Sequence, residues 1–89
     1  MKTNKIIFIV KGSEDGILGV YTNKKLAWNK SLEYIKGKGK PVDMEGNPYS
    51  YIKLCNEAKE NNGMLFSINI FGADDDYGNA GIESFRLNE

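Results

Sequence analysis

The stretch K-I-I-F-I-V-K, residues 5–11, constrains the fold more than any other part of the chain. Its five consecutive apolar residues are rich in β-branched side chains and nearly continuous in hydrophobicity, which suits a strand buried on both faces at the centre of a sheet. Such a strand needs neighbours, and the sequence supplies three candidates. G-S-E-D-G at 12–16 can turn the chain into I-L-G-V-Y-T at 17–22, completing an opening hairpin. M-L-F-S-I-N-I-F at 64–71 alternates, with Met64, Phe66, Ile68 and Ile70 on one side. G-I-E-S-F-R-L at 81–87 reads as its return strand; an unbroken register puts Phe85 and Leu87 toward the core and Ile82 outward, unless a bulge intervenes.

Two helices fit between the hairpins. Thr22 or Asn23 can cap a helix beginning at Lys24, in which Ala27, Trp28, Ser31, Leu32, Tyr34 and Ile35 recur at helical spacing and Gly37 ends the run. Residues 37–47 have three glycines, a proline and little periodicity, and read as the longest loop. Asn47 and Pro48 then read as cap and first residue of a second helix, which buries Tyr51, Leu54, Cys55 and Ala58 and stops at Gly63. The expected fold is α+β, one domain over 1–89: a four-stranded, mainly antiparallel sheet in the order β-β-α-α-β-β, with two helices packed on one face. The other face is left partly exposed, with Tyr21, Leu65, Phe71 and Ile82 assigned to it.

A chain of 89 residues buries only about 60–65% of its unfolded surface on folding, so dimerisation would add to a modest stability. A hydrophobic fraction of 40% and a charged fraction of 27% are ordinary for a folded domain. With no histidine, the chain lacks Ser-His and Cys-His catalytic arrangements and the commonest zinc sites. Cys55 has no partner for an internal disulfide and suits a small core position. The apolar runs are too short for a membrane span, and the N-terminus lacks the apolar region of a signal peptide, so a cytoplasmic protein without membrane contact is expected. Net charge is zero, but residues 1–40 carry nine lysines against three acids and residues 41–89 carry the reverse excess. The two halves can mix their charges over one surface or meet between subunits.

Two loops offer binding chemistry. K-G-K-G-K at 36–40 combines flexible backbone with Lys36, Lys38 and Lys40, and Trp28 is an available stacking ring, so a nucleotide or nucleic acid is one candidate ligand. Its spacing matches neither the Walker loop nor the dinucleotide fingerprint. G-A-D-D-D-Y-G-N-A-G at 72–81 reads as an acidic hairpin tip, in which Asp74, Asp75, Asp76 and Tyr77 can steer toward a basic protein. The calcium-loop pattern fails there, because Gly78 and Asn79 stand where an acidic or amide residue and a glycine are required. No acid–base pair or activated nucleophile emerges, and the expectation is a non-enzyme without metal or cofactor.

The opening I-I-F-I-V-K-G-S-E-D-G-I-L-G-V-Y-T-N-K-K-L-A, residues 6–27, resembles the start of small accessory proteins of tailed bacteriophages: hydrophobic strand, acidic-glycine turn, G-V-[YF]-[ST], helix. The resemblance covers the first third of the chain and carries no catalytic residue. It implies a stoichiometric inhibitor of a host or defence protein in the host cytoplasm, or a sponge for a small signalling nucleotide. A structural or assembly accessory, forming a homo-oligomer, is the third reading.

Overall fold

A computed structural model describes residues 4–88 and, among their side chains, those of 5–74 and 78–87. Along the chain run β1 (Asn4–Gly12), β2 (Gly16–Tyr21), α1 (Lys24–Tyr34), β3 (Pro41–Val42), α2 (Tyr51–Glu60), β4 (Ile68–Gly72) and β5 (Asp75–Asn88). The strands form one sheet in the order β2-β1-β5-β4-β3, and every neighbouring pair is antiparallel. The class is α+β as expected, but the described residues form five strands rather than four. The extra one, β3, lies in the glycine-rich loop and pairs Pro41 with Gly72 and Val42 with Phe71. Two residues are too few to produce an alternating pattern, so periodicity does not register them.

Both helices start on a side-chain cap. The Asn23 Oδ1 accepts from the Lys25 and Leu26 amides at 2.8 and 3.3 Å, and the Ser50 Oγ accepts from the Lys53 amide at 3.3 Å. The second helix therefore begins after Ser50, not at Pro48, which instead forms a bridge with Val42. Helix α1 buries Ala27, Trp28 and Ser31, and α2 buries Leu54 and Ala58. These residues share one core with Phe8, Val10, Ile70, Ala80 and Ile82, so a single side of the sheet carries the helical layer.

Register decides what lies on that side. Val10 opposes Ile82 and Phe8 opposes Ser84 across β1 and β5, while Ile68 opposes Ile82 and Ile70 opposes Ala80 across β4 and β5. Ile82 is thus fully buried rather than outward, and Phe85 and Leu87, expected in the core, stand on the other face. The cause is Ser84. Its amide donates to the Leu65 carbonyl at 2.8 Å, and its hydroxyl donates to that same carbonyl and accepts from the Leu65 amide. A buried serine stapling the connection before β4 replaces the apolar residue that alternation would place there. That connection is not strand: Asn62, Gly63 and Ser67 take φ of 58°, 88° and 47°, which interrupts an extended path. Leu65 turns into the core and Phe66 turns out.

Candidate functional site

The two loops that the sequence offers as rival binding sites form one structure. After α1 the chain turns through Gly37 and Gly39, and the Lys38 carbonyl accepts from the Asp74 amide at 2.8 Å while the Lys40 carbonyl accepts from the Ala73 amide at 2.9 Å. Gly39 has φ of 97°, and a Cβ there would lie 2.7 Å from the Asp74 nitrogen and 2.8 Å from its carboxylate. The Lys38 side chain crosses Gly78, where a Cβ would sit 2.0 Å from its Nζ, and the ammonium lies 5.8 Å from the Tyr34 ring. Residues 36–40 are therefore seated on the β4–β5 turn by main-chain hydrogen bonds. The basic first half and acidic second half of the chain meet here within one subunit.

The turn itself is short. Ala73 and Asp74 connect the strands, and Asp75 and Asp76 already belong to β5. The side chains of Asp75, Asp76 and Tyr77 lie outside the described residues. Lys36 and Lys40 are exposed. Trp28 is only 5% exposed, stacked on Tyr49 at 5.9 Å and tilted against Tyr51 at 6.3 Å, so it serves the core rather than an accessible stacking platform. The Tyr49 hydroxyl donates to the Glu57 carboxylate at 2.7 Å; burial first, then that bond, push the phenol well above its ordinary pKa.

The uncovered face of the sheet presents a different surface. Ile17 and Val20 on β2 are 62% and 55% exposed, and Phe85 and Leu87 on β5 are 47% and 45% exposed. Ile7 opposes Phe85, and Ile9 lies between Val20 and Glu83, so β1 joins the two exposed pairs with half-buried isoleucines. An irregularity between Val10 and Lys11 gives β2 an extra residue, which lets both Ile17 and Val20 face this side. Of the four residues assigned here from sequence, Phe71 is half-buried on this face. Leu65 and Ile82 are in the core, and Tyr21 packs against the core from the helical side.

Beside the apolar stripe lies a polar depression of about 200 Å³, lined in part by Lys11, Glu83, Asn69, Asn79 and Gly81. Lys11 and Glu83 form an ion pair at 2.5 Å, and the Asn79 carboxamide donates to that of Asn69 at 3.3 Å. The Ser13 hydroxyl accepts from the Asn79 amide at 3.2 Å, tying the β1–β2 turn to β5. The combination is an apolar stripe with hydrogen-bonding groups at one end. Sequence reasoning missed it because an unbroken alternation carried into the return strand puts Phe85 and Leu87 inward, whereas the inward Ser84 reverses it.

No helix among the described residues is long and apolar enough to cross a membrane. No protein-family model, curated protein or solved structure matches the chain.

Proposed function

We propose that this chain is a small, non-enzymatic binding protein that engages a protein partner through the uncovered face of its sheet. The observation carrying this reading is the row of exposed apolar side chains, Ile17, Val20, Phe85 and Leu87, on a sheet face that neither helix covers. Aromatic and aliphatic anchors beside hydrogen-bonding groups are the usual make-up of a protein interface. The partner that fits presents apolar side chains toward Phe85 and Leu87, and amide or charged groups toward Asn69, Asn79 and the Lys11–Glu83 pair. The resemblance of residues 6–27 to phage accessory proteins makes a host or defence protein the class to screen first. Nucleotide capture by Lys36, Lys38 and Lys40 has less support, because that loop is engaged with the β4–β5 turn and Trp28 is in the core.

Photocrosslinking tests the assignment. A crosslinking amino acid in place of Phe85 is expected to trap one heterologous protein, whereas the same group in place of Ile52, exposed on α2, traps none. The purified partner should then bind the unmodified chain at fixed stoichiometry, and Phe85→Glu should weaken binding about tenfold or more while Ile52→Glu leaves it unchanged. Binding insensitive to Phe85→Glu would move the site elsewhere.

A further inference from the structure

The two edges of the sheet differ. At one end β3 has two residues, one of them proline, and is bridged to Pro48. At the other, β2 reads G-I-L-G-V-Y, without charge or proline, and pairs only with β1 among the described strands. Edge strands usually carry a charge, a proline, a bulge or a cover that discourages further pairing; β2 has no charge or proline within its six residues, and its one irregularity, at Leu18, is what turns Ile17 and Val20 to the same side.

We infer that β2 pairs antiparallel with β2 of a second copy, giving a twofold dimer with one continuous ten-stranded sheet. The sequence of the strand is complementary to its own reverse. With Ile17 opposite Val20 of the other copy, Leu18 falls opposite Gly19 and Gly16 opposite Tyr21, so each pair joins residues from the same face and sets large beside small. Ile17 and Val20 then extend the uncovered apolar stripe across the twofold axis.

Charge selects the direction. Glu14 and Asp15 precede the strand and Lys24 and Lys25 follow it, and Glu14, Asp15 and Lys25 are exposed. In the antiparallel register Asp15 lies opposite Thr22 of the other copy, where that chain leaves β2, and its Lys24 opens α1 two residues later. Each junction therefore sets acids against lysines, twice by symmetry. Parallel pairing would oppose acids to acids and lysines to lysines. The dimer stands independently of the heterologous partner proposed above, because it uses the strand edge and needs no other protein.

Light scattering coupled to size exclusion reads the outcome directly. The wild-type chain is expected at twice the 10.0 kDa of one copy. A Glu14→Lys/Asp15→Lys variant and a Lys24→Glu/Lys25→Glu variant should each run as monomers, and an equimolar mixture should restore the dimer, because only the mixed pair has complementary junctions. All four substitutions fall outside the core, and restoration on mixing shows that both variants are folded. A wild-type chain that stays at 10.0 kDa at millimolar concentration overturns the inference. So does a dimer that survives in both variants, or one that mixing fails to restore.

Discussion

Gly39 shows how much one missing side chain can hold together. Its positive φ alone would cost an alanine roughly 1–2 kcal/mol, and Gly37, with φ of 87° and open space around it, carries only that cost. At Gly39 a Cβ would also press on the Asp74 backbone, which cannot swing aside as a flexible side chain can. Gly39→Ala is therefore expected to destabilise the protein more than Gly37→Ala, measured as the difference in urea unfolding free energy; equal losses would mean that the two loops are not seated on each other. The glycines of K-G-K-G-K are visible in the sequence as flexibility, but their purpose is not. Close approach between residues 39 and 74 is a property of two segments, and neither segment announces it.

At the scale of elements, the short strand β3 and helix α2 are joined by a charge pair. The Lys53 ammonium donates to the Asp43 carboxylate at 2.9 Å, while the other carboxylate oxygen accepts from the Glu45 and Asn47 amides at 2.9 Å each. The Lys53 hydrogen bond first, then the amides, holds Asp43 below its ordinary value of 3.8, and the same pair raises Lys53 above 10.5. A depressed carboxylate adds stability above its unfolded pKa and loses it as pH falls through the folded one. Asp43→Asn, which keeps an acceptor for the turn amides, should thus lower Tm at pH 7, with the gap to wild type narrowing below about pH 3.8. A gap unchanged between pH 7 and pH 3 would show that the charge contributes nothing. Legibility differs among the elements for physical reasons. Strand β1 is readable from its continuous run of β-branched and aromatic residues, and helix α1 from its cap at Asn23 and the helical spacing of Ala27, Trp28 and Ser31. The start of α2 was misplaced because Pro48 satisfies the rules for a helix start and also those for a sheet edge.

On the scale of the whole molecule, the class, both helices and the one-sided layering follow from pattern. The register of β5 and the identity of the uncovered face do not, since they depend on Ser84 bonding a residue 19 positions away. Ile82 is the centre of that register, fully buried and opposed to Val10 on one side and Ile68 on the other. Ile82→Ala should cost roughly 2–5 kcal/mol, a large part of what a domain of this size has, and chemical denaturation would register it as a lower midpoint with unchanged slope. A loss below about 1 kcal/mol would place Ile82 at the surface and return Phe85 to the core. The position of β5 also has a consequence for synthesis. It is the middle strand of the sheet, yet it follows every other element in the chain. As the chain leaves the ribosome, β2–β1 and β4–β3 can each pair, but no strand joins the two pairs into one sheet until residues 75–88 emerge. Until then one edge of β1 has no neighbour, and its main-chain amides and carbonyls wait for the strand that will pair with them.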